Sequence, residues 1–305
     1  MSHKFWVILL VVLLISGPTV RVFGEDETGE IAVEDKWTTI LDIEDPIGDD
    51  YGPGTYLYPT HVQFAPYQGL LDIERFKVEG TEKLIRFQIT FGQITNPWHG
   101  PFGFSHQLIQ IYIDHRPGGK RRPFYPGAKV VFSPRAPWDT LIKVTGWGMY
   151  IFRCTDKPEK EPAHYTKGDI KVLADGKTIQ VQIPIEDISS FDDLYDASYY
   201  LLVGGQDGFG PDNYRVVKKE VSEWYFGGGD GSGYAPNVID ILTLPHKSQQ
   251  KILGSYDPTN RVLAVVEPVH RPNPLKKGII YLISITVGIL LWYSWCKRDE
   301  FNLDQ

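Results

Sequence analysis

The chain contains only two cysteines and two methionines in 305 residues. Two cysteines cannot supply a disulfide framework, so a small cross-linked scaffold is excluded. No Gly-x-Ser-x-Gly elbow, Ser-x-x-Lys, phosphate-loop or His-Glu-x-x-His spacing occurs, which removes the sequence marks of several hydrolase, nucleotide-binding and zinc-protease classes. Every asparagine is followed two positions on by Trp, Arg, Ile, Val, Leu or Asp, so the N-glycosylation motif is missing too. Positive charge is also in deficit: 31 basic against 38 acidic residues give a formal charge of −7, which offers no general attraction to nucleic acid. Helical periodicity is confined to Ile185–Leu194, with Asp187 and Ser189 as candidate N-terminal caps. What is abundant is glycine (30), proline (22) and aromatic side chains (13%), the composition of a turn-rich globular protein.

The two ends differ from the middle. Lys4, the apolar run Phe5–Ile15, the Gly17-Pro18 break and Gly24 form a secretory signal pattern over residues 1–24, read either as a cleaved signal or as an uncleaved signal anchor. Gly278–Cys296 carries no charge and as a helix extends about 28 Å, the thickness of a bilayer core, which predicts a transmembrane helix. Lysines or arginines flank this run equally on both sides, so orientation follows from the exported N-terminus. The expected topology is a single-pass cell-membrane protein with its large domain extracellular and residues 297–305 cytoplasmic. Cys154 then lies outside and Cys296 at the inner boundary, and Cys154 reads as a small buried residue.

Between residues 25 and 245 the dominant period is two. Leu84–Gly92, Leu108–Asp114 and Thr178–Pro184 alternate apolar and polar residues, as half-buried antiparallel strands do. Further strands are expected at Trp37–Ile43, Leu71–Val78, Lys129–Phe132, Leu141–Trp147, Met149–Arg153, Asp169–Leu173, Tyr199–Gly204 and Tyr214–Lys218, with a hairpin turning at Asp175-Gly176. The expected fold class is all-β: an antiparallel β-sandwich of jelly-roll or immunoglobulin-like type, plus the C-terminal transmembrane helix. Residues 246–277 read as a proline-stiffened stalk in which Val262–Val266 stands alone or adds to the sandwich edge.

Candidate chemistry concentrates in loops. Asp42, Glu44, Asp45, Asp49 and Asp50 crowd one glycine-broken stretch, which reads either as an oxygen-rich calcium site or as a solvated acidic turn; its spacing is not that of an EF-hand. Gly204–Tyr214 and Glu223–Tyr234 are glycine-rich loops carrying rings beside Asp and Asn. Such loops suit sugars, whose C–H faces stack on rings while hydroxyls bond to amides and carboxylates. Ligand candidates are Trp98, Asp207, Asp212, Asn213, Trp224 and Tyr234, with core packing as the alternative fate of each tryptophan. His61, His99, His106 and His115 lack metal-ligand spacing and are expected to be hydrogen-bonded or at the surface.

The run Asp45-Pro-Ile-Gly-Asp-Asp-Tyr-Gly-Pro-Gly-Thr-Tyr-Leu-Tyr-Pro59, followed by Leu71–Phe76, Gln107–Asp114 and Gly204–Asp207, resembles the C-terminal module of glucodextranase and related surface glucan-degrading proteins. That module is similar to family 9 carbohydrate-binding and DOMON-like β-sandwiches, and the resemblance spans about residues 35–268. It implies a carbohydrate-binding or surface-attaching module accompanied by Ca²⁺, with Asp45, Asp49, Asp50 and Asp72 at the implied cation loop. Here no catalytic domain precedes the module and a membrane anchor follows it, so the expectation is binding without catalysis, in company with a separate glycoside hydrolase or transporter. The expected partner is a polysaccharide, α-glucan first, and not nucleic acid. Two other readings stay open: a structural protein attached to an envelope component, and a haem-holding DOMON-type electron-transfer domain in which Met149 is the one methionine of the mature chain.

Overall fold

The computed structural model describes residues 36–271 apart from Pro66 and residues 158–162. The expected signal segment, transmembrane helix and cytoplasmic tail lie outside the described residues. Among those described, no helix is long and apolar enough to cross a membrane.

In chain order the elements are β1 (Thr38–Glu44), β2 (Ile73–Gly80), β3 (Leu84–Phe91), β4 (Gln107–Asp114), β5 (Val130–Phe132), β6 (Thr140–Thr145), β7 (Gly148–Arg153), β8 (Asp169–Val172) and β9 (Thr178–Pro184). There follow α1 (Phe191–Tyr195), β10 (Ser198–Gly205), β11 (Asp240–Ile241), α2 (Gln249–Leu253), β12 (Ala264–Val266) and β13 (Val269–His270). One antiparallel sheet has the order β1-β2-β3-β9-β8; the other has β11-β10-β4-β6-β7, with β13 also paired to β10. The two sheets pack face to face, as the sequence period implied. In β3, Ile85, Phe87, Ile89 and Phe91 are fully buried while Arg86, Gln88 and Thr90 point outward.

The second sheet departs from expectation. Leu108–Asp114 was expected to be half-buried, yet β4 is buried on both faces: Ile109, Ile111 and Ile113 enter the main core, while Leu108 and Tyr112 enter a second core. Strand β10 divides likewise, with Tyr199, Leu201 and Val203 on one side and Tyr200 and Leu202 on the other. The second core lies under a covering layer that includes β5 and β12, paired parallel, and Leu253 of α2. That layer corrects the stalk expectation. Residues 246–271 pack onto the sandwich, with Leu253, Ala264, Val266 and Val269 buried, so only residues 272–277 of the expected stalk lie outside the description. Two more differences are local. Tyr214–Lys218 forms bridges, Gln206 with Tyr214 and Val217 with Phe226, rather than a strand. The helical segment splits into a single 3₁₀ turn at Ile185–Asp187 and α1, whose cap is Ser190, its hydroxyl accepting from the Asp193 N–H.

A polar network crosses the second core. Lys143 Nζ lies 2.6 Å from Asp212 Oδ1, with both side chains nearly fully buried. Gln110 Nε2 donates to Asp212 Oδ2 at 2.7 Å, and Gln110 Oε1 accepts from Tyr112 and Tyr214 hydroxyls at 3.1 and 3.0 Å. This pins the Pro211–Asn213 turn to the sheet. Lys143→Ala leaves the buried Asp212 carboxylate without its cation and is expected to cost about 3–5 kcal/mol in urea unfolding, whereas Lys143→Met with Asp212→Asn, which keeps an acceptor for Gln110 and suits the φ of +53° there, recovers most of that loss. Equal stability of wild type and Lys143→Ala refutes the pinning role.

Candidate functional site

The acidic stretch folds back on itself because glycine permits the turns. Gly48 adopts φ +80°, and its N–H donates to both carboxylate oxygens of Asp72, at 3.0 and 2.9 Å. Gly52, at φ +56°, donates to the Ile239 carbonyl at 2.9 Å, which brings the loop against the segment leading into β11. Three carboxylates converge there. Asp45, Asp49 and Asp240 each present an oxygen, all within 4.8 Å of one another. Asp45 Oδ1 accepts from the Thr243 N–H at 2.6 Å and Asp240 Oδ2 from the Ile73 N–H at 2.6 Å. Asp45 Oδ2, Asp49 Oδ1 and Asp240 Oδ1 are buried without a partner.

Electrostatics match this geometry. Burial, with repulsion from Asp49 and Asp72 and against hydrogen bonds from Thr243, pushes Asp45 up to about 8. Burial and the neighbouring Asp72 and Asp50 push Asp49 up to about 7. Asp240, fully buried and facing Asp45 and Asp49, is raised well above the carboxylate range. Converging, unpartnered carboxylate oxygens are the donor set of a hard divalent cation. The other two expected ligands stand one step back: Asp72 is occupied by Gly48, and Asp50 accepts from the Tyr58 hydroxyl. Asp240 was missed. Its only trace in the sequence is a lone carboxylate inside the apolar run Val238–Leu242.

From Asp50 the loop leads to an aromatic cluster. Tyr58 accepts from the Leu71 N–H at 3.1 Å and packs edge-on against Phe226. Leu57 bridges Gly227, and the His61 N–H donates to the Glu223 carbonyl, so the two loops run together. His61 stacks on Trp224, their centroids 3.9 Å apart, and Phe64 contacts Trp98, His106, Trp224 and Phe226. Arg215 holds the cluster from below. Its Nη1 donates to the Trp224 carbonyl at 2.7 Å and Nη2 to the Gln206 carbonyl at 2.8 Å, while its guanidinium lies over the rings of Phe64 and Trp98. Asp207 supplies a countercharge 3.9 Å away. His106 was expected to be hydrogen-bonded or at the surface and is neither: it is 1% exposed, its ring nitrogens lack a hydrogen bond although the Gln63 backbone faces the ring, and burial beside Arg215 pushes it down to about 4.

Of the six ligand candidates, Trp98, Trp224 and Asp207 meet around Arg215. Trp224 is 39% exposed, which leaves part of its ring free, and the Trp98 indole N–H donates to Gln63 Oε1. Asp212 is withdrawn from any ligand role by Lys143 and Gln110, a correction whose cause is the buried network. Asn213 shapes the same turn, its carbonyl accepting from the Asp207 N–H. Tyr234 has no ring contact with the cluster; its N–H donates to Ser232 in a separate turn. Met149 is 1% exposed in the main core, with its backbone N–H on His164. Cys154 is buried, as expected.

The acidic loop, its Asp240 partner and the ring cluster all fall within residues 40–268, the span matched by the family model for the C-terminal binding module, SLH-like, of glucodextranase. The chain belongs to that family. The match agrees closely with the span over which the sequence resembles it. Among curated proteins none matches the chain. Membership in the glucodextranase C-terminal module family assigns a binding role, and the ring cluster and the carboxylate centre are the two built features within it.

Raised carboxyl pKa values carry a sign. A group that binds its proton more tightly when folded than its unfolded value of about 3.9 contributes stability that is complete below that value and lost as pH rises through the folded one. In chelator, the melting temperature is therefore expected to fall as pH rises from about 5 to about 8, spanning Asp72 at about 6, Asp49 at about 7 and Asp45 at about 8. Asp45→Asn should flatten that slope. A melting temperature that is constant or rising over this range in the wild type contradicts the assignment.

Proposed function

We propose that the protein is a non-catalytic carbohydrate-binding module, displayed outside the cell on a membrane anchor at residues 278–296, that takes a polysaccharide such as α-glucan and holds a structural Ca²⁺. The observation that carries this reading is the ring cluster. Within a chain of the glucodextranase C-terminal module family, partly exposed Trp98, Trp224 and His61 converge with Gln63, Asp207 and the Arg215 guanidinium at one end of the sandwich. Rings offer faces to sugar C–H groups, and the amide and carboxylate offer hydroxyl partners.

Strand direction supports the display. β13 pairs with Ser198 and Tyr199 at the start of β10, so the described chain leaves the domain at that end. The rings lie beyond Gly205, at the opposite end of the same strand. A domain held through residues after 271 thus presents its ring-bearing end away from the attachment. In this reading Asp45, Asp49 and Asp240 hold the Ca²⁺, which neutralises their mutual repulsion and fixes the loop that runs on to His61 and Phe64.

Two measurements test the two halves. Isothermal titration of the full-length protein with soluble α-glucans should give saturable heat, and Trp224→Ala should weaken it roughly tenfold, the loss of one ring contact. No heat with any glycan, together with retention on isolated cell envelopes, selects surface attachment instead. Ca²⁺ added to chelated protein at a hundredfold excess over its dissociation constant stabilises by about 2.7 kcal/mol. For a domain of this size that raises the melting temperature by about 5–10 °C. Asp240→Asn should abolish the response, and an unresponsive wild type removes the cation from the reading.

A further inference from the structure

The outer face of the five-stranded sheet carries a groove of about 600 Å³, within the roughly 300–1,000 Å³ of ligand clefts. We propose that this groove is a second binding site, taking an extended and uncharged stretch of a glycan chain; the proposal rests on the glycan reading above and adds a place and a charge class to it.

The pleat builds the floor. Phe76, Phe87 and Ile89 turn into the core, so Arg75, Lys77, Gln88 and Thr90 turn outward. Register aligns them in two rows across the sheet, Arg75–Thr90–Thr178 and Lys77–Gln88–Gln180. The walls are the loop after β1, with Ile47 74% exposed, and the β8–β9 hairpin, with Leu173. From β1 to β8 the sheet is about 19 Å wide, longer than a single sugar ring.

The polar groups decide the ligand. Gln88 Nε2 donates to Gln180 Oε1 at 3.0 Å, which leaves Gln88 Oε1 and one amide N–H without a partner. Thr90 bonds Thr178, whose hydroxyl donates to Asp175, so Thr90 keeps acceptor capacity. Arg75 is engaged by Asp42 through Nε and Nη2, leaving Nη1. Lys77 shares Glu79 with Arg86, and Lys177 is paired with Glu74. The side chains that line the groove are acidic on balance even with the raised Asp45 left aside, Glu44, Glu74 and Asp175 against Arg75 and Lys77, and Asp175 is held below the usual carboxylate range, its slight burial outweighed by hydrogen bonds from Thr178 and Lys177. Phosphate backbones and acidic glycans are disfavoured by that balance. On the groove floor a peptide cannot add as a strand, because β2, β3 and β9 are each paired on both edges. Amide and hydroxyl groups and a guanidinium already charge-paired with Asp42, between walls that set Ile47 and Leu173 beside carboxylates, fit a hydroxyl-rich uncharged chain.

The test is isothermal titration of the full-length protein in a sugar-free detergent, with neutral gluco-oligosaccharides of two and seven units and with acidic galacturonate oligomers. Two variants are compared with wild type: Gln88→Ala, which removes the free amide, and Ile47→Ser, which strips the apolar wall at a position 74% exposed without adding charge beside the carboxylates. Both should bind the heptamer three- to tenfold more weakly, through loss of a hydrogen bond in the first and of apolar contact in the second. The dimer should be unaffected and the acidic oligomers unbound. Heptamer affinity unchanged in both variants, with Trp224→Ala still defective, overturns the groove and leaves the glycan reading standing. Absence of binding by the wild type overturns both.

Discussion

Three carboxylates brought together out of water are the constraint on which one end of this molecule depends. Asp45 follows β1 and Asp240 lies in β11, so the two belong to different sheets, and the hydrogen bonds they accept cross between sheets as well. Asp45 takes the N–H of Thr243 beyond β11, and Asp240 takes the N–H of Ile73 in β2. Like charges at this spacing oppose folding unless they are protonated or bridged by a cation. The sheets are therefore joined here by groups that repel one another, and the repulsion is offset because Asp45 and Asp240 also satisfy backbone donors that would otherwise be buried unpaired.

The consequences spread along one loop. Asp50 fixes Tyr58, Tyr58 packs on Phe226, and Leu57 bridges Gly227. These contacts carry His61 and Phe64 to Trp224 and Trp98. Arg215 then ties the cluster to the end of β10 through the Gln206 carbonyl. Phe64 and Phe226 belong to the main hydrophobic core, with Tyr58 and Trp98 packed against it, and the polar contacts of Arg215 and the two loops hold Trp224 and His61 against that anchored edge, which is how a surface cluster can be both half-exposed and fixed.

Much of this was legible in the sequence, for physical reasons. Alternation in Leu84–Phe91 and Thr178–Pro184 reported a sheet with one wet face, and the Asp45–Pro59 run reported both the family and the acidic loop. The double-sided burial of β4 and β10 was less legible. Gln110 in the middle of β4 looks solvent-facing, yet it is buried and bonded to Asp212 and two tyrosines, so polarity alone misassigned the face. The apolar run Tyr199–Val203 was the better signal of burial on both sides. Asp240 and Asp212 exchanged roles for a related reason. Spacing along the chain cannot show that one carboxylate meets two others across a sandwich while another finds a lysine beneath a turn.

Asp45 also borders the groove on the outer sheet face, so the carboxylate centre and the groove share a residue. The loop that completes the centre is the loop that raises Ile47 as a groove wall, and Gly48, the next residue, is held by Asp72. The ring cluster depends on the same loop further along. Among the described residues the Asp45–Phe64 segment is thus the stretch that contributes at once to the carboxylate cluster through Asp45 and Asp49, to the groove wall through Ile47 and to the ring cluster through His61 and Phe64.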